Sequence, residues 1–261
     1  MSGGAVVDVD ARRFGGIGRL YGEDGRGRLA AAHVAVVGIG GVGSWAAEAL
    51  ARSGLGRLTL IDLDHVAESN LNRQIHATEA TLGQAKVEAM QARIASYNPL
   101  CRVDLVDDFV TVDNAAQLLD QGFDYVIDAI DAVRVKVVMI AFCAERKLPI
   151  VTCGAAGGQI DPTRILVDDL SRTIQDPLLS KVRGQLRKAH GFTRDPKRKF
   201  GVEAVYSTEP LRYPAPDTSC AVPSGPAGLN CAGFGSVVTV TATVGMFAAA
   251  RALNALAQGR S

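Results

Sequence analysis

The sequence predicts a doubly wound, mostly parallel α/β sheet with a C-terminal extension that completes the sheet. Three observations lead there. A glycine loop, "GIGGVG" (38–43), joins an apolar run to an alanine-rich run; short apolar runs then alternate with stretches of helical length; and glycine or proline punctuates their ends. Strands of a parallel sheet are buried on both faces, so they read as short continuous apolar runs with helices as crossovers. With 261 residues and 48% apolar content, the chain can bury a substantial core.

The elements follow in order. The stretch "ARRFGGIGRLYGEDG" is basic, glycine-rich and short of core residues, which predicts a small N-terminal helix or arm within residues 1–29. "HVAVVG" is a strand, "SWAAEALARSG" a helix stopped by Gly54, and "RLTLID" the next strand. "GQAKVEAMQARIASYN" is a second helix ended by Pro99, "CRVDLVDDFV" a strand, "DNAAQLLDQG" a short helix and "FDYVIDAID" a buried strand. "RVKVVMIAFCAERK" is ambiguous in period but has helix length, and "LPIVTCG" is a further strand. This alternation fills a core at 30–155 and places ligands at the carboxyl ends of the strands.

A C-terminal part, 156–261, is less regular. "GQIDPTRILVDD" reads as a pair of short strands and "DPLLSKVRGQLRKAHG" as a basic helix. Five of the ten prolines fall within 210–226, predicting a long irregular loop at 205–230 that is either functional or disordered. No charged residue occurs between Asp217 and Arg251, and "GFGSVVTVTATVGMFAAA" is nearly long enough to cross a bilayer. Three glycines and several hydroxyls dilute it, so a buried element of the core is the preferred expectation for 232–250, with no membrane partner.

Charge is unevenly spread. The formal net charge is +1, yet residues 181–200 hold eight basic residues against one acid, Asp195. Such a patch suits a polyanionic partner, although a solvated helix face followed by a charged turn has the same composition. The five cysteines form an odd set without a CxxC, which excludes a disulfide framework and a four-cysteine zinc site. The four histidines show neither HxH nor HExxH spacing and are given no metal role. "MSGGAVVDVDARR" has acids and no apolar h-region, so a cytoplasmic protein is expected.

The glycines Gly38, Gly40, Gly41 and Gly43 satisfy GxGxxG between a strand and a helix, a setting that brings backbone N–H groups and a helix N-terminus to phosphate. It is not a Walker loop, because Ser44 stands where a lysine is needed. If a triphosphate binds, its cations come from elsewhere. Asp62 ends the second strand, where an acid accepts from a ribose hydroxyl, and Asp64 follows it. The loop beyond carries Asn70, Asn72, Arg73 and Gln74, and Lys86 opens the next helix. A guanidinium fork and an ammonium suit β- and γ-phosphates better than they suit a nicotinamide. Asp128 and Asp131 leave the strand "FDYVIDAID" where a carboxylate can hold Mg²⁺; Asp131 lies further into the loop, and Asp128 has loop bracing as its alternative.

With GIGGVG followed by "LIDLD", "SNLNRQ", "GQAK" and "DAID", residues 30–155 resemble the ubiquitin-activating, ThiF and MoeB type adenylating enzymes, whose core is Rossmann-like. The resemblance implies that Gly41, Asp62, Asn70, Arg73 and Lys86 bind ATP and that Asp131 binds Mg²⁺. It implies attack of a carboxylate on the α-phosphate, giving an acyl adenylate and pyrophosphate. Paired CxxC ligands common among the sulfur-carrier activators are missing here; the family's N-terminal segment supplies an arginine to the partner subunit's ATP, and the matching stretch here offers Arg13 or Arg19, acting in cis or across a homodimer.

"RRFGGIGRLYG", "GGQIDPTRI", "TIQDPLLSKVR" and "NCAGFGSVVTVTAT" resemble the tRNA-modifying branch of that family and extend the likeness over nearly the whole chain. That branch uses ATP to cyclise a threonylcarbamoyl group on the adenosine beside the tRNA anticodon. On this expectation the substrate's carboxylate is adenylated, then attacked by its own carbamoyl group. Lys181, Arg183, Arg187, Lys188, Arg194, Lys197, Arg198 and Lys199 are then candidate tRNA phosphate contacts. The resemblance makes Cys231 a candidate thioester-forming residue beside Arg73 and Lys86 in catalysis; a small buried thiol is its alternative. A cysteine-desulfurase-related sulfur-acceptor protein is a partner by family implication only. The competing functions are adenylation of a sulfur-carrier or ubiquitin-like C-terminus, a silent RNA- or partner-binding module and, more remotely, a dehydrogenase.

Overall fold

The computed structural model describes residues 9–213 and 234–259. Seven strands form one sheet in the order β3-β2-β1-β4-β5-β7-β6. They are β1 (His33–Val37), β2 (Arg57–Ile61), β3 (Arg102–Val106), β4 (Tyr125–Asp128), β5 (Ile150–Cys153), β6 (Ile165–Asp169) and β7 (Glu203–Ser207). All neighbours are parallel except β6 and β7. The helices are α1 (Val9–Ala31), α2 (Gly43–Arg52), α3 (Lys86–Ala95), α4 (Ala115–Leu119), α5 (Val133–Arg146), α6 (Pro177–Ala189) and α7 (Val238–Gln258).

Side-chain alternation along the central strands feeds two cores. Val34 and Val36 join Leu29, Leu50, Leu58, Leu60, Met90 and the buried face of α7. Ala35 and Val37 join Ile140 of α5 and Leu179 and Leu186 of α6 on the other face. β1 pairs with β2 on one side and β4 on the other, aligning Val37 with both Ile61 and Asp128. The chain direction of winding reverses between β1 and β4, which opens a crevice beyond their carboxyl ends.

Three expectations change. The N-terminal arm is a 23-residue helix with a kink at Gly22 (φ +76°). Tertiary packing overrides its glycine content: Phe14 and Leu29 are buried, and the Tyr21 hydroxyl donates to Asn254 Oδ1 at 2.8 Å. "GQIDPTRILVDD" is one strand, not two, because the Asp161 carboxylate caps a 3₁₀ turn at Pro162–Arg164 by accepting from Thr163 N. Its sheet partner is β7, so residues 205–207 at the start of the expected irregular loop 205–230 are strand instead, pairing antiparallel with β6.

The apolar terminal segment is helix α7. It is long and apolar enough to span a membrane, but a stripe from Val240 through Val244, Ala248 and Ala252 to Ala257 is buried in this molecule. Gly245 allows its close crossing over α2: a Cβ there would meet the Ala46 nitrogen at 3.0 Å and collide with the Val42 carbonyl.

Candidate active site

The switch-point crevice holds a cavity of about 380 Å³, within the size range of small-molecule sites. The glycine loop forms one wall through Gly38, Gly40 and Gly41. Gly38 takes φ +87°, and its N–H donates to the Ile61 carbonyl at 2.9 Å. A Cβ at Gly38 would stand 2.9 Å from Ile130 Cγ2, and one at Gly43 would strike the Gly38 carbonyl. The tight turn therefore requires glycine at both positions. It delivers the N-terminus of α2, with its positive dipole end, to the cavity.

The acids after β2 hold the loop. Asp62 Oδ2 accepts from Ile39 N at 2.6 Å, and Oδ1 accepts from Asp64 N at 2.9 Å. Burial pushes the Asp62 carboxyl above its ordinary range, opposed by the Lys86 charge and those two N–H groups. Lys86 opens α3, is buried, and donates through Nζ to Asp64 Oδ2 at 2.7 Å. Arg73 is half-buried; its Nη1 donates to the Ser69 carbonyl at 2.6 Å and to Asn72 Oδ1 at 3.0 Å. Burial lowers its pKa, yet a guanidinium stays charged across the physiological range.

Asp62, Asp64, Arg73, Gln74 and Lys86 all line the cavity; Asn70 and Asn72 do not. Asn70 is buried and braces the polar loop by accepting from Ala67 N at 3.2 Å. Asn72 donates to the Ser236 carbonyl at 3.0 Å, tying that loop to the entry of α7. Ser44 is fully buried, and the lysine that lines the cavity comes from α3, as Lys86, rather than from the helix that follows the loop.

At the end of β4 the two acids separate. Asp131 lines the cavity. Asp128 is fully buried, 3.0 Å from the Lys136 ammonium, and accepts from the Thr152 hydroxyl at 2.7 Å. Lys136 also donates to the Cys153 carbonyl at 2.8 Å. The bracing alternative thus holds for Asp128, and the Lys136 that pairs with it was invisible in the sequence because it sits in an apolar helical run. The remaining wall comprises Asp108–Val110 after β3 and 154–157 after β5, loops that only the topology brings together.

The basic segment divides in two. Arg183 donates to Thr173 Oγ1, and Arg187 lies 5.2 Å over the Phe200 ring and donates to the Thr193 carbonyl; both are half-buried. Lys181, Lys188, Arg194, Lys197, Arg198 and Lys199 are exposed. Arg13 and Arg19 lie exposed on α1 and do not line the cavity. Cys231 and Cys220 lie outside the described residues, as does most of the proline-rich loop. Cys101, Cys143 and Cys153 are buried, and burial pushes each thiol up to about 12, which suits packing and not nucleophilic attack.

Two cations, a helix N-terminus and a cavity-lining carboxylate around one crevice can hold a polyphosphate chain and stabilise charge developing on it. Among known proteins, residues 16–260 match the model of the ThiF family. A tRNA threonylcarbamoyladenosine dehydratase of Haemophilus influenzae is 51% identical over 258 residues, covering 98% of each chain. Its namesake in Escherichia coli K12 is 54% identical over 253 residues, covering 95% of this chain and 94% of that one. A crystal structure of E. coli tRNA N6-threonylcarbamoyladenosine dehydratase in complex with ATP superposes with a TM-score of 0.86 at 51% identity over 97% of both chains.

Proposed function

The chain belongs to the ThiF family, and we propose that it is an ATP-dependent dehydratase of threonylcarbamoyl adenosine in tRNA. One observation carries this: the glycine loop, Arg73 and Lys86 converge on a single cavity in a chain similar to such dehydratases nearly from end to end. In the first step a carboxylate oxygen of the substrate attacks the α-phosphorus, and pyrophosphate leaves. In the second the carbamoyl group of the same substituent attacks the acyl carbon, AMP leaves with that oxygen, and the net change is loss of water.

The roles follow from position. Gly38, Gly40, Gly41 and Gly43 shape the turn that brings backbone N–H groups to phosphate. Asp62 and Asp64 serve the ribose side, and Arg73 and Lys86 neutralise charge as pyrophosphate departs. Asn70 acts through the loop it braces. Asp131 would hold Mg²⁺ together with nucleotide phosphates, the usual mode for this cation. Asp131 fits that mode, because it lines the cavity and a carboxylate offers the oxygen ligand this cation takes. When bound, Mg²⁺ supplies Lewis-acid stabilisation of phosphate charge.

Residues 30–155 are the adenylation core, preceded by an N-terminal part, 1–29, that holds all of α1 but its last two residues, and followed by a C-terminal part, 156–261. The tRNA docks on the basic segment chiefly through its exposed Lys181, Lys188, Arg194, Lys197, Arg198 and Lys199. Arg13 or Arg19 reaches the nucleotide from a second copy in a homodimer, since neither lines the cavity of its own chain. Cys231 takes the acyl group as a thioester or supports the site. The protein works in the cytoplasm, and the family resemblance extends to a cysteine-desulfurase-related sulfur acceptor. Mixing the protein with α-labelled ATP, Mg²⁺ and threonylcarbamoylated tRNA tests the assignment. Stoichiometric AMP is expected; no nucleotide turnover with that tRNA, or turnover requiring a carrier protein, refutes it.

A further inference from the structure

The basic helix and the cavity wall meet at one buried carboxylate. Asp176 caps α6, with Oδ1 accepting from Leu179 N at 2.9 Å. Its other oxygen, Oδ2, accepts at 2.9 Å from the N–H of Ala155, which lies in the 154–157 wall of the cavity. Asp176 is 3% exposed, so neither bond is diluted by solvent. Burial raises its carboxyl, while the Leu179 and Ala155 N–H groups and the Lys136 charge oppose that shift.

Two further features show that this contact is built in. Gly154 leaves room for it, since a Cβ there would collide with Asp176 Oδ2. Gln175 immediately before the cap takes φ +58°, a left-handed conformation that costs a non-glycine residue about 1 kcal/mol or more. A cap alone needs no such turn. The chain adopts it where Asp176 is pressed against the wall loop.

We propose that Asp176 is a positioning residue, through which α6 and the basic segment that it carries and that continues beyond it set the 154–157 wall of the cavity lined by the glycine loop, Arg73 and Lys86. This rests on the reading above that residues 181–199 dock the tRNA. Docking is then transmitted over one hydrogen-bonded side chain to the reacting centre, and the adenylate forms efficiently only when the wall is held.

Asp176→Ser separates the two jobs. Serine is a good helix cap, but its single short hydroxyl cannot also reach Ala155. Asp176→Asn is nearly isosteric, so it guards against failure to fold. For both variants we expect the melting temperature to fall by a few degrees, because the buried Ala155 N–H loses its acceptor, the affinities for ATP and for tRNA to stay close to wild type, and AMP release at saturating tRNA to fall at least about tenfold, the scale of a small misplacement of reacting groups. Turnover within about twofold of wild type overturns the proposal. So does a parallel loss of melting temperature and both affinities, which marks a purely structural cap.

Hydrogen exchange reads the coupling directly. Adding tRNA is expected to protect amides at both 181–199 and 154–157 in the wild type and only at 181–199 in Asp176→Asn; equal protection of 154–157 in both marks direct cover by the tRNA and overturns the proposal. In the wild type, protection at 181–199 with no change at 154–157 refutes the coupling alone. No protection at 181–199 refutes the RNA reading beneath it.

Discussion

Arg73 and Lys86 reach one cavity from a loop and from a helix start, and neither has an alternative in the glycine loop, where Ser44 is buried. Arg73→Ala and Lys86→Ala are therefore expected to lower AMP formation by about 10²–10³, the scale of removing one preorganised donor, while tRNA affinity persists. Steady-state kinetics beside a filter-binding isotherm checks this; loss of tRNA binding would contradict it. His76 lies close by in the chain and is 2% exposed, with neither ring nitrogen partnered among the described residues. Burial, then the charges of Lys86 and Arg93, lower its pKa from 6.5 to about 4. The unfolded chain takes up this proton between those values while the folded one does not. Stability from the neutral ring is thus fully present above pH 6.5 and lost as pH falls toward 4. Urea unfolding at pH 7.5 and 5 should show wild type losing about 2 kcal/mol more than His76→Leu. Equal losses would contradict the assignment.

Between elements, buried contacts fix how the walls meet. The Lys136–Asp128 pair joins α5 to the ends of β4 and β5, directly under the 129–132 and 154–157 loops. Removing one partner of a buried pair leaves a charge without compensation. Lys136→Met should lower stability by about 3–5 kcal/mol, and adding Asp128→Asn should recover part of it; denaturant midpoints decide. At the α2–α7 crossing, Gly245→Val drives a side chain into the Val42 carbonyl beside the glycine loop. A loss of about 1–3 kcal/mol and weaker ATP binding are expected, and calorimetry with nucleotide titration measures both. The strands of the doubly wound core were legible because burial on both faces makes each an apolar run. α1 was under-read because its glycines hide the contacts of Phe14 and Leu29, and β7 because its partner β6 is distant in sequence. Within the site, the charged motif residues were legible. Lys136, Asp176 and the Asp108–Val110 wall were not, since their roles depend on which strand ends become neighbours.

Across the molecule, basic charge gathers in an exposed segment on and after α6, apart from the cavity, where Arg73 and Lys86 stand among aspartates. A polyanion bound to that segment releases counterions, so tRNA affinity should fall steeply with salt. Replacing Lys197, Arg198 and Lys199 together by alanine should flatten the slope of log affinity against log salt by about 2–3. An unchanged slope would return the segment to a solvated surface. The central claim is that the tRNA-borne carboxylate, not water or a carrier protein, attacks the α-phosphorus. The most direct test follows oxygen from threonylcarbamoylated tRNA labelled with ¹⁸O in the carboxylate, through a single turnover with ATP and Mg²⁺. Mass spectrometry of the released nucleotide is predicted to find one ¹⁸O in AMP for each cyclised adenosine. AMP free of label, or label retained entirely in the tRNA, would contradict the account.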